Sequence, residues 1–337
     1  MRRFQGEPLP EHSRIAIVAN DALGNYVVST PLIQMLRSKY PGADLDYYGG
    51  TRTEELWSNE PMIDHGYAIF GRPPYELASH LITSGTYNLV VNLESSEWAK
   101  AFTSIASGHD GFVVGPSVGP QGRGDLPFAQ DERGRLAADA EWTAADLTSR
   151  YPFLHSGFIG EIFSRLAYLD GPVPGYRVPS KTPEFEVPEV LIATSASLPE
   201  KLWPLEGWRR ALTFLRDNRF TVGLLGAKPS AQRHFWQGEE AEQRMVDEGL
   251  AQDLRGRLSL SEVVGALAKA KLVLTLDNGI LHLAAATSTP TIGLFREGIH
   301  RLWAPPVSNL KVITPPSGGQ VAEIAPETVL EALESAR

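Results

Sequence analysis

Residues 271–295, KLVLTLDNGILHLAAATSTPTIGLF, decide the fold. Leu272, Val273, Leu274 and Leu276 make a nearly unbroken apolar run with no polar alternation, which predicts a strand over 271–276 buried on both faces. Gly, Ala and Leu then predict a small-residue helix over 279–287, and Pro290 to Phe295 a second buried strand. Strand, crossover helix and strand at this spacing form the repeating unit of a parallel sheet covered by helices. At the first turn Asp277 stands where an N-cap is expected, followed by Asn278 and by Gly279, which lets a ligand approach the backbone. The positive end of the helix dipole suits an anion such as a diphosphate, and His282 lies in the first turn on a face turned toward the same place.

The same alternation extends outward from this unit. Toward the N-terminus of the second half it predicts strand 190–194, helix 205–218, strand 220–225, helix 230–249 and helix 259–270. In the first half it predicts strands 14–19, 44–48, 87–93 and 111–115, with helices over 73–83 and 95–107 and a helical pattern over 141–169. Residues 116–140 read as a long surface loop. The segment DGPVPGYRVPSKTPEFEVPE, 170–189, carries five prolines and no helical period, so it reads as a linker. The expected class is therefore α/β, with an N-terminal Rossmann-like domain over 1–169, a C-terminal one over 190–337 and a final helix on either. The 337 residues are enough for two such cores.

Composition narrows the partners. A net charge of −9 argues against a general nucleic-acid or anionic-membrane surface. Zero cysteines exclude disulfides and thiolate metal sites, and the scattered histidines form no metal motif, so no metal is expected. No run reaches the roughly 18 apolar residues of a membrane span, and the first residues lack a leader's apolar stretch. A cytoplasmic protein with at most peripheral membrane contact is the expectation.

Two further loops complete the picture. TSASLPEKLWPLEGW, 194–208, places Thr194, Ser195, Ser197 and Lys201 after a strand, where ligands of open α/β sheets collect, and hydroxyls and a lysine suit phosphate. Trp203-Pro204 makes that loop distinctive. IAIVANDALGNYVVSTPLIQMLR, 15–37, reads as strand, turn with Gly24 and Asn25, and amphipathic helix.

Together, ALGNYVVSTPLIQMLRSKYPGADLDYYG at 22–49, KLWP at 201–204 and DNGILHLAAATSTPTIGLF at 277–295 resemble glycosyltransferase family 9, the heptosyltransferase-like enzymes of the GT-B fold. The resemblance implies two Rossmann-like domains facing across a cleft, and inverting transfer of a heptose or related sugar from a nucleotide-diphosphate sugar. The sugar would pass to a hydroxyl of a saccharide, lipid-linked or natural-product acceptor held by the N-terminal domain. It implies that Lys201 contacts the donor phosphates and that Asp277, Asn278 and the Gly279 backbone hold the donor sugar and diphosphate. His282 would support that site, with Thr194 or Ser195 adding a hydroxyl and Gly24 lying close to the donor. No cofactor is expected beyond the nucleotide sugar, and Lys201 with the helix start would stabilise the leaving diphosphate without a metal.

Asn25 departs from the family, which usually has Asp after this Gly as the base toward the acceptor. An amide hydrogen-bonds a hydroxyl but cannot take its proton. Asp21, in the same loop, and Glu94 and Glu97, after the strand at 87–93, are the replacement candidates. A non-catalytic member that binds a nucleotide sugar or a partner is the alternative. Arg14, Arg52 and Arg123 are the basic residues that could converge on a phosphorylated acceptor.

Overall fold

A computed structural model describes residues 1–228, 238–316 and 318–336. The chain divides into two compact units, Met1–Trp142 with Asp146–Arg177, and Thr143–Ala145 with Val178–Arg337. The main division falls within the proline-rich 170–189 segment. No helix among the described residues is long and apolar enough to cross a membrane.

The first unit contains strands β1 (Arg2–Arg3), β2 (Arg14–Val18), β3 (Asp44–Gly50), β4 (His65–Phe70), β5 (Leu89–Asn92) and β6 (Phe112–Val114). Its helices are α1 (Leu23–Lys39), α2 (Glu54–Ser58), α3 (Pro74–Ser84), α4 (Glu97–Ser107), α5 (Glu132–Ala138), α6 (Leu147–Arg150) and α7 (Ile159–Leu166). The second contains strands β7 (Val190–Ala193), β8 (Val222–Leu224), β9 (Gln252–Asp253), β10 (Leu272–Leu276), β11 (Thr291–Leu294) and β12 (Leu310–Ile313). Its helices are α8 (Leu205–Asp217), α9 (Glu239–Asp247), α10 (Leu260–Lys269), α11 (Gly279–Ala285), α12 (His300–Trp303) and α13 (Pro326–Ser335).

Each unit holds a six-stranded parallel sheet, ordered β1-β6-β5-β2-β3-β4 and β12-β11-β10-β7-β8-β9. In the second sheet β8 and β9 extend from β7 on one side, while β10, β11 and β12 extend on the other. The order therefore reverses between β7 and β10, which pair from Val190↔Leu272 to Ala193↔Thr275. In the first sheet the same reversal falls between β2 and β5, paired from Ile15↔Leu89 to Val18↔Asn92. Helices on both faces diverge at such a point and leave a crevice beyond the carboxyl ends of the two strands.

The two-faced burial read at 271–276 holds, since every residue of β10 is buried. Ile192, Leu274, Leu276, Ile292 and Leu294 meet Trp208 and Leu212 of α8 and Val329 and Leu333 of α13 in one apolar cluster. The last helix is thus part of the second unit.

Several local readings needed correction. Helix α1 begins at Leu23, so Gly24 and Asn25 occupy its first turn rather than a preceding loop, and Tyr26 through Ile33 are all buried, leaving the helix middle without a polar face. It is enclosed because α7 packs against it. Gly160 suits that approach, as a Cβ there would meet the Phe158 ring at 2.5 Å and crowd the Val28 carbonyl at 3.1 Å. The pattern at 141–169 is two short helices, α6 and α7, divided by Pro152 and Gly157, and the 116–140 loop encloses α5, capped by Asp131. Strands also form where none was expected, at the two-residue β1 and β9 and at the longer β4 and β12. The helix expected over 230–249 appears as α9, while residues 229–237 lie outside the described residues.

Candidate functional site

The reversal point of the second sheet assembles the residues expected to hold the donor. Lys201 ends a 3-10 turn, Pro199–Lys201, that follows β7. Its position is fixed from behind: Trp203 is buried, donates its indole N–H to the Ile324 carbonyl at 2.9 Å, and packs edge-on against Trp208 at 5.2 Å. The Trp-Pro pair therefore anchors the turn, and the ammonium is the part it presents. Lys201 Nζ lies 2.7 Å from Asp277 Oδ2, with the carboxylate side chain only 5% exposed.

Asp277 is not the helix cap. Asn278 is, its Oδ1 accepting from the Ile280 and Leu281 N–H groups at 3.0 and 3.3 Å. An amide caps as well as a carboxylate and adds a donor. That donor, Nδ2, reaches the Ser195 carbonyl at 3.0 Å, so Asn278 ties the loop after β10 to the loop after β7. Thr275 steadies it from below, donating to Oδ1 at 3.2 Å. The cap has a second consequence: two N–H groups expected to face an anion are already satisfied by the Asn278 side chain. The cationic character of the site therefore comes from side chains.

Thr194 also departs from expectation. It is buried and donates its hydroxyl to Glu242 Oε1 at 3.1 Å, so the hydroxyl proton is committed to the interior. Glu242, fully buried, is paired in turn with Arg255 at 3.5 Å. Ser195 is buried and contributes its carbonyl to Asn278, whereas Ser197 is exposed. His282 is buried beside Trp303, with ring centroids 6.3 Å apart. Burial pushes its pKa down to about 4, with Asp277 opposing and Lys201 reinforcing the shift. The imidazole is therefore neutral near pH 7. Beyond β11, Arg296 pairs with Glu200 at 3.4 Å, a residue that sequence reasoning missed; its position as the first charge after an apolar strand was the available signal.

The reversal point of the first sheet brings other residues together. Asp21 follows β2, its Oδ1 accepting the Arg52 N–H at 2.9 Å. A Cβ at Gly50 would overlap that carboxylate at 2.0 Å, so glycine there is what admits it. Partial burial pushes the Asp21 carboxyl above the usual carboxylate range, although the Arg52 N–H and guanidinium pull it down. Glu94, after β5, accepts the Ser95 and Ser96 N–H groups at 2.9 and 3.1 Å. Glu97 is 84% exposed and paired with Lys100, a solvated position on α4. Arg14 and Arg52 do not converge: Arg14 starts β2 and pairs with Asp46, whereas Arg52 follows the carboxyl end of the neighbouring parallel strand. Arg123 stands exposed in the turn between Gly119 and Gly124. Among the described residues no group of three or more His, Asp and Glu is placed to hold a metal ion.

Residues 172–328 match the pattern of glycosyltransferase family 9 (heptosyltransferase). The likeness to family 9 covers a little under half of the chain, almost all of it in the second unit. Over 97 residues the chain is 33% identical to lipopolysaccharide heptosyltransferase 1 of Salmonella typhimurium, covering 28% of each chain. The match thus spans little over a quarter of that relative. Similarity of fold extends over nearly the whole chain. A family 9 glycosyl transferase from Veillonella parvula superposes with a TM-score of 0.71 at 16% identity, covering 96% of this chain and 97% of that one. An Escherichia coli heptosyltransferase solved with ADP gives 0.64 at 17%, covering 96% and 100%.

Proposed function

We propose that the chain transfers a sugar, a heptose or a related one, from a nucleotide-diphosphate sugar to an acceptor hydroxyl with inversion. The donor would sit at the reversal point of the second sheet. The observation that carries this reading is the meeting of Lys201, from the loop after β7, with the Asp277–His282 segment after β10, in a chain whose residues 172–328 match family 9.

In this reading Lys201 contacts the donor diphosphate and stabilises the charge that grows as the glycosidic bond breaks. Asp277 keeps the ammonium oriented and accepts sugar hydroxyls, and the Gly279 backbone lies alongside. Neutral His282 fills the floor, donating or accepting one hydrogen bond without adding charge. The hydroxyl of Thr194 is assigned to the architecture. No metal is assigned to the leaving group. The acceptor belongs to the first unit, where Asn25 positions its hydroxyl by hydrogen bonding and Asp21 takes the proton. Asp21 is favoured because its carboxyl is partly buried, raised and accepts one backbone N–H, whereas Glu97 is solvated and Glu94 Oε1 accepts two.

Incubation with ADP-, GDP-, UDP- and dTDP-sugars and a panel of saccharide, lipid-linked and natural-product acceptors, in EDTA, tests this directly. Mass spectrometry should find a glycosylated product, and its anomeric configuration should be opposite to the donor's. Asn25 favours one other reading, a binding member without turnover. Nucleotide-sugar binding without transfer or donor hydrolysis would support that reading against the enzyme.

A further inference from the structure

The donor site as described is electrically balanced. Lys201 faces Asp277, Arg296 faces Glu200, and His282 is neutral. A diphosphate brings more than one negative charge, and a single lysine already paired with a carboxylate is a weak match for it. The loop after β11 holds a second cation, Arg296. Leu294 pairs with Leu276 at the end of β11, and the Leu294 carbonyl accepts the Asp277 N–H at 3.1 Å. Arg296, two residues on, therefore leaves the sheet beside Asp277. Its contact Glu200 is the residue immediately before Lys201.

Arg296 is incompletely satisfied. The 3.4 Å distance to Glu200 is long for a guanidinium–carboxylate hydrogen bond, which favours about 2.7–2.9 Å. Its Nε is buried with no hydrogen-bond partner, although a guanidinium offers a planar fork of donors suited to a carboxylate or phosphate edge. A buried donor left unmade is costly, so the side chain is poised for a second acceptor.

We propose that Arg296 is a second cation for the donor diphosphate and that Glu200 is the carboxylate the diphosphate displaces. This rests on the donor-site reading above. Arg296 takes the phosphate farther from the nucleoside, next to the bond that breaks, while Glu200 keeps the guanidinium neutralised until that phosphate arrives. The two residues together select a diphosphate over a monophosphate.

Calorimetry at fixed salt with ADP, GDP, UDP and dTDP, and with the matching monophosphates, tests it on the wild type and on Arg296→Gln, Arg296→Lys and Glu200→Gln. Arg296→Gln should weaken the preferred diphosphate about tenfold or more, the loss of one charged hydrogen bond, and its monophosphate far less. Arg296→Lys should recover part of the loss. Glu200→Gln should bind the diphosphate several-fold more tightly, which an ion pair serving stability alone would not produce. Unchanged diphosphate affinity in Arg296→Gln, or no gain in Glu200→Gln, overturns the assignment while leaving the donor site standing. Absence of any nucleotide binding by the wild type removes both. If thermal melting shows Arg296→Gln to be poorly folded, Glu200→Gln decides.

Discussion

Lys201 and Asp277 form a 2.7 Å ion pair across the reversal point of the second sheet, one partner after β7 and the other after β10. Removing the lysine leaves a nearly buried carboxylate without its cation. Lys201→Ala should therefore lose about 3 kcal/mol of stability, and Lys201→Ala with Asp277→Asn should regain most of it. Urea unfolding of the two variants and the wild type measures both.

Asn278 has two separable roles. Asn278→Ala removes the cap of α11 and the tie to Ser195 and should cost about 2 kcal/mol. Asn278→Ser keeps a capping oxygen but lacks the donor to Ser195, so it should cost about half as much while weakening nucleotide binding comparably to Asn278→Ala. Parallel denaturation and binding titrations distinguish the roles.

His282 gives stability a sign in pH. Its folded pKa, about 4, lies below an unfolded value of about 6.5, so between those values the unfolded chain binds the extra proton. The contribution is complete above about pH 6.5, falls as pH drops toward 4 and is level below that. At about 1.36 kcal/mol per unit the full loss is roughly 3–3.5 kcal/mol. His282→Asn should flatten this part of the profile, as read from denaturant midpoints between pH 4 and 7.5.

Asp21 is the base in the proposed reaction, and its carboxyl should titrate above the ordinary aspartate range in carbon NMR. Asp21→Asn should lower kcat by about 100-fold or more with little change in donor KM. Glu97→Gln, at an exposed paired position, should leave kcat within about twofold. Equal losses in the two variants would contradict this assignment.

The sheet architecture was legible because parallel strands buried on both faces leave an apolar signature, strongest at β10 and β2. Short edge strands such as β1 and β9 leave none, since two residues set no period. Lys201, Asp277 and His282 were legible from the motif spacing, but the exchange of capping from Asp277 to Asn278 was not. Both residue types cap well, and the choice depends on where β10 ends. The commitment of Thr194 to Glu242 and the pairing of Arg296 with Glu200 depend on contacts 48 and 96 residues apart in sequence, which no local pattern encodes.

The most direct test of the donor site is calorimetry of ADP, GDP, UDP and dTDP in EDTA with the wild type, Lys201→Ala and the Lys201→Ala, Asp277→Asn double variant. The account predicts metal-independent binding of one nucleoside diphosphate by the wild type. That affinity should fall about tenfold or more in Lys201→Ala and should not return in the double variant, even where its stability does. Undiminished binding in a folded Lys201 variant, or no binding by the wild type, would contradict it.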